Sequence, residues 1–302
     1  MRKLYLAVFI LMFSLSMTMT YHGQSSETNY LIFDKQGNPA GFEQILDRIG
    51  KSDAVFLGEQ HDDAVAHTLQ LQIFKTAYEK YGANRKTVLS LEMFERDVQI
   101  ILNEYLKNQI SETHFLAASR PWANYKTDYR PLVELAKEKN LEIVAANAPR
   151  RYVNMVTRLG RGSLDALSPE AKRWLAPLPY GEASEIYAKK FNNLMGAMNG
   201  SVKQPNPMLA SQSLWDATMA FSVAEKLKAD KNALVIHLNG SFHTENHLGT
   251  VEHLLKYQPN AKILVITMRY EEDYKNFDKA KHADLGDFVI LTDAKSPRSQ
   301  NK

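Results

Sequence analysis

Cysteine is absent from all 302 residues. That excludes disulfides and thiolate ligands, and without an N-terminal cysteine to acylate the chain is not a lipoprotein. Any metal ion must therefore be held by His, Tyr, Met, Asp or Glu. Clustered positive charge is also scarce. The densest basic run is "APRRYV", and 37 Lys and Arg are balanced by 34 Asp and Glu, which argues against nucleic acid as a partner. Long apolar runs are missing too: "LYLAVFILMF", after Arg2 and Lys3, is too short to span a bilayer. Followed by the small and polar "SLSMTMTYHGQ", it reads as a signal peptide over residues 1–23, cut before Gln24, and predicts a periplasmic or secreted protein. Losing that segment leaves 35 basic against 34 acidic residues, a net charge of about +1. Internal repeats and low-complexity tracts are not visible.

Apolar residues make up 44% of the chain, enough for a substantial core. Short runs rich in Val, Ile and Leu predict strands at 30–34, 54–57, 87–91, 142–146, 233–239, 262–268 and 288–292. All but the first are apolar on both faces, as strands covered by helices on both sides should be. Between them lie helical patterns, such as Val65, Leu69, Ile73, Ala77 and Tyr81 at i, i+4 spacing. The fold class is therefore α/β, a mostly parallel sheet flanked by helices, forming a single domain over residues 24–302. From Pro149 to Asp230 no strand is evident, and about 150–205 reads as an inserted all-helical subdomain beside the sheet. The tail 293–302 reads as disordered.

Polar residues gather where the strands end. Glu59 and His61 follow the run ending at Leu57, Glu92 follows "TVLSL", Asn147 and Arg150 follow "EIVAA", and Ser241 and His243 follow "ALVIHLNG". In an open α/β sheet the carboxyl ends of the strands deliver side chains to a common crevice. Two of these ends share a pattern, Gly58-Glu59-Gln60-His61 and Gly240-Ser241-Phe242-His243, where glycine permits a sharp turn and the imidazole can fold back over the edge. Glu59, His61, Glu92 and His243 are thus candidate ligands for a divalent metal ion, or the acid–base set of a hydrolase acting on esters or peptides. Asp62 and Asp63 are better read as the start of the next helix. Gln212 and Asp216, four apart on one helical face, either reach the crevice or line a polar groove.

The stretches "VFLGEQHDD", "LSLEMFERDVQ", "WANYKTDYRPLVELAKEKNLEIVAANAPRRYV", "SQSLWDATMA" and "NGSFHTENHLGTVEHL" together resemble the ChaN-like family of haem-binding uptake proteins, over roughly residues 40–268. TraB-like metal-dependent proteases and erythromycin esterases are more distantly similar. The resemblance implies haem or iron acquisition, with ferric haem held between the α/β core and the helical subdomain and ligated by a tyrosine. It also implies a homodimer and a haem-transport partner protein. Tyr125, Tyr129 and Tyr152 lie in the matching segments, and Arg150 or Arg151 would meet the propionates. Trp174, Tyr180, Tyr187, Phe191, Met195 and Met198 could wall the macrocycle, although their spacing fits an ordinary helical core better. Relatives are often lipoproteins, which this chain departs from. From the residues alone, enzyme and binding protein both remain open.

Overall fold

A computed structural model describes residues 28–199 and 206–299. The signal segment at 1–23 lies outside the described residues. Seven strands form one sheet: β1 (Tyr30–Asp34), β2 (Ala54–Glu59), β3 (Thr87–Glu95), β4 (Glu142–Asn147), β5 (Leu234–Gly240), β6 (Ile263–Glu271) and β7 (Phe288–Asp293). Their order is β1-β7-β6-β2-β5-β3-β4. Only the edge pair β1 and β7 is antiparallel, so the sheet is mostly parallel.

Helices α1 (Phe42–Ile49), α2 (Ala64–Tyr81), α3 (Gln99–Leu106), α4 (Glu112–Ser119) and α5 (Arg130–Glu138) cover one face. There Ile45, Leu69, Ile73, Leu102, Phe115 and Leu132 pack on Val55, Leu89 and Ile236. After β4 come α6 (Arg150–Leu159), α7 (Pro169–Lys172), α8 (Glu185–Asn199), α9 (Pro207–Ala229), α10 (Thr250–Tyr257) and α11 (Lys279–His282). Met219, Val223, Val251 and Leu254 of α9 and α10 cover the other face, over Phe56, Val88 and Val235. Because both faces are covered, the central strands are apolar throughout.

From α6 to α9 the described residues contain helices and no strand. Val153, Val156, Leu164, Leu175 and Tyr180 form a small core of their own against Leu214 and Ala217. Of the tail expected to be disordered, residues 293–299 are described. Asp293 closes β7, and residues 294–299 pack back on the domain. The Ser299 hydroxyl donates to Asp128 at 2.8 Å, its N–H donates to the Asp62 carbonyl at 2.9 Å, and the Arg298 guanidinium covers the Tyr270 ring. Among the described residues, no helix is long and apolar enough to cross a membrane.

Candidate functional site

Strand β5 lies between β2 and β3, so the chain passes from β2 to the β3–β4 side and later returns to fill the gap. Such a reversal leaves a crevice at the carboxyl ends of the strands. Glu59 is the last residue of β2 and is 1% exposed. Asp63, at the N-cap of α2, accepts from the Val65 and Ala66 N–H groups, the helix start expected for that aspartate. Between them, His61 sits on the connecting turn. Glu92 lies inside β3, where the register with β4 shifts between Leu91 and Glu95. An irregularity of this kind re-aims a side chain at a sheet edge.

Glu59 is the best-connected group. Its Oε1 accepts from the Tyr129 hydroxyl at 2.5 Å and meets His61 Nδ1 at 2.9 Å, and its Oε2 accepts from Gln70 Nε2 at 2.7 Å. Burial pushes the carboxyl pKa up, but the nearby His67 and the bonds from His61 and Tyr129 outweigh it and hold the group below its ordinary value. For His61, burial pulls the pKa down while the Glu59 bond and the charges of Glu92 and Asp62 push it up to about 9. Its Nδ1 is taken by Glu59, so the ring presents Nε2 to the crevice.

His243 repeats this arrangement from the other side. Its Nδ1 meets Asp216 Oδ1 of α9 at 2.7 Å, and Thr250 donates to the same oxygen at 2.8 Å. Burial lowers its pKa, but the charges of Asp216 and Glu92 prevail and raise it. Gln212 Nε2 lies 3.2 Å from His243 Nδ1 and 3.3 Å from the Tyr187 hydroxyl. Between the two imidazoles, Glu92 accepts from the Gly240 N–H at 2.7 Å, with its other oxygen 3.6 Å from His243 Nε2.

His61, Glu92, Asn147, Arg150 and His243 line one open pocket of about 700 Å³, together with Trp122, Asn124 and Trp215. That volume lies within the usual range for small-molecule sites. Glu59, Gln212 and Asp216 stand behind this wall. The metal expectation finds no support: among the described residues there is no group of three or more His, Asp or Glu that could hold a metal ion. The physical reason is that the donors are already engaged, Glu59 by three hydrogen bonds, Glu92 by Gly240 and His243 by Asp216.

The three tyrosines are not brought together at the pocket. Tyr125 is buried against Phe94 and Phe115, and Tyr129 is fully buried with its hydroxyl on Glu59. Burial pushes both phenols well above their ordinary pKa, opposite to what a phenolate ligand needs. Neither is presented to an entering ligand. Tyr152 is half-buried on α6 under the Arg151 guanidinium, 4.4 Å from the ring centre, and Arg151 itself pairs with Asp97. Tyr180, Tyr187 and Phe191 are core residues, as their spacing suggested.

Several site residues escaped the sequence. His67 of α2 is 4% exposed and lies 3.5 Å from Glu59 Oε2 and 3.4 Å from Asp128 Oδ2. A signal existed, because His67 and Gln70 share the helical face of Phe74 and Ala77. Trp122 and Trp215 carried no comparable signal.

The family described as haem-binding uptake, Tiki superfamily, ChaN matches residues 45–254. Among solved structures, ChaN of Campylobacter jejuni, described by its cofacial haem binding, aligns with a TM-score of 0.68 at 20% identity, covering 89% of this chain and 98% of that one. This likeness is one of fold. A Bacillus cereus protein aligns at a TM-score of 0.49 and 12% identity, covering 86% of this chain and 93% of its own. An erythromycin esterase in its open conformation aligns at 0.48 and 12%, covering 87% and 83%. No curated protein sequence matches the chain.

Proposed function

Because the chain belongs to the ChaN family of haem-binding uptake proteins, we propose that it binds haem in the sheet-edge pocket and serves haem or iron acquisition as an exported, dimeric carrier. The observation that carries this reading is the pocket's chemistry. Trp122 and Trp215 offer flat apolar surface, and Arg150 lines the opening with an exposed guanidinium for which no carboxylate partner is found among the described residues. A macrocycle with two carboxylate arms fits a site that pairs aromatic walls with an available cation. Haem supplies the iron centre; the protein's part is to seat the ring, meet its propionates and offer an axial donor. Haemin titrated into the purified protein should give a saturable Soret shift at micromolar concentration, and light scattering with and without haemin reports pairing. Absence of the shift overturns this function.

A second reading is favoured by one specific observation: each imidazole has its Nδ1 on a buried carboxylate. In hydrolases that arrangement fixes the tautomer and leaves Nε2 to take a proton from water or a hydroxyl. His61 would be the base and Glu59 its positioning residue. Activity on ester and peptide panels that vanishes in a Glu59→Ala, His61→Ala double variant supports it; no activity in either protein removes it.

A further inference from the structure

We propose that His61 Nε2, and not a tyrosine oxygen, is the donor this chain offers to haem iron. The inference rests on the haem-binding reading above and names the residue that carries it. Of the groups lining the pocket, those able to coordinate iron are His61, His243 and the Glu92 carboxylate. His243 is 8% exposed, with Nε2 3.6 Å from Glu92, and Glu92 already accepts the Gly240 N–H. His61 differs. Its side chain is 44% exposed, and its Nε2 has no hydrogen-bond partner among the described residues.

What holds His61 is also what an iron ligand needs. The Nδ1 bond to Glu59 fixes the ring's orientation, with its Cε1–Nε2 edge beside Gly240 in the pocket wall. A carboxylate on the far nitrogen makes an imidazole a stronger donor. Glu59 is itself held by Tyr129 and Gln70, so the support is rigid. The backbone carbonyl of His61 is pinned as well, by Asn124 Nδ2 at 2.9 Å and His67 Nε2 at 3.1 Å. The ring meets Trp122 edge-on, with centroids 4.8 Å apart, which places an aromatic wall beside the donor. On binding, one bond forms between Nε2 and iron. Any proton carried by Nε2 would leave to solvent, while the Nδ1 hydrogen would stay on the ring, donated to Glu59.

The tyrosines lack these features. Tyr129 spends its hydroxyl on Glu59, Tyr125 is sealed among aromatic rings, and Tyr152 does not line the pocket.

The test is a haemin titration of the full chain, read by absorbance, electron paramagnetic resonance and resonance Raman spectroscopy of the ferric and ferrous forms. Wild-type protein should show nitrogen ligation. His61→Gly should lose these signatures and more than about tenfold in affinity, and added imidazole should restore the signatures. Tyr152→Phe should behave as wild type. A phenolate signature in wild type, or unchanged spectra and affinity in His61→Gly, overturns the proposal while haem binding stands. No haemin binding by wild type overturns both. The wild-type spectrum decides the ligand even where a variant fails to fold.

Discussion

A Cβ placed on Gly240 would lie 2.8 Å from Cε1 and 2.9 Å from Nε2 of His61. The glycine backbone is in an ordinary region, φ −57° and ψ 132°, so its role is space for the imidazole and not conformational freedom. Gly240→Ala should therefore fold, at a cost of about 1–3 kcal/mol, because the half-exposed ring can swing aside but must leave buried Glu59. Haemin affinity should fall roughly tenfold or more, since the displaced ring leaves its Glu59 bond. Unchanged affinity would show that His61 is not held against β5 for binding. Tyr129→Phe tests the support below. It removes a 2.5 Å bond to a carboxylate that is 1% exposed, and urea unfolding should report a loss of about 1–3 kcal/mol. Glu59, His61, Glu92 and His243 were legible in the sequence because each ends an apolar run. For His67 the helical face shared with Gln70, Phe74 and Ala77 signals burial, but its partners Glu59 and Asp128 appear only once the helix is docked.

The predicted strands match the observed ones within a few residues, because a two-sided apolar run bounded by Gly or polar residues has few other uses. The deviations have a local cause. Glu59 is a paired strand residue and Glu92 lies in the irregularity of β3, whereas their charge marks them in the sequence as belonging to loops. Another feature hidden from the sequence is the π-helical turn Tyr125–Tyr129, which puts Tyr125 among aromatics and sends Tyr129 to Glu59. Such turns depend on tertiary partners more than on local propensity. The C-terminal strap is a third case. "DAKSPRSQNK" is polar and reads as a frayed tail, yet Ser299 clasps Asp128 while Arg298 bridges Asp63. Deleting residues 294–302 should remove these contacts and expose the turn carrying His61. At about 1 kcal/mol for each lost hydrogen bond, scanning fluorimetry should show a melting temperature lower by roughly 5 °C. An unchanged melting temperature would mean that the strap contributes nothing to stability.

The architecture joins two kinds of buried titratable group, and they set opposite limits on the molecule's stability with pH. His237 lies in the centre of β5, fully buried, with Nδ1 2.8 Å from the Ser90 hydroxyl and Nε2 without a hydrogen-bond partner among the described residues. Burial, aided by the charge of His243, pushes its pKa down from 6.5 to about 3. A depressed value means that the unfolded chain takes up the proton first. This contribution is therefore complete above about pH 6.5 and is lost as pH falls toward about 3. Glu59, held below its ordinary value, acts in the same direction at lower pH. His61 and His243 work the other way. Their raised values stabilise the fold below about pH 6.5 and lose that effect as pH rises, for His61 through about 9. Stability should thus peak between these limits. At 1.36 kcal/mol per pH unit, His237 alone should cost roughly 2 kcal/mol between neutrality and about pH 5. Urea unfolding of wild type and His237→Asn at both pH values isolates this share, because the remaining carboxyl and imidazole groups are common to both proteins. The wild type should lose about 2 kcal/mol more than the variant. Equal losses would mean that His237 is solvated or protonated in the folded state, which would contradict its place between β2 and β3 at the heart of the sheet.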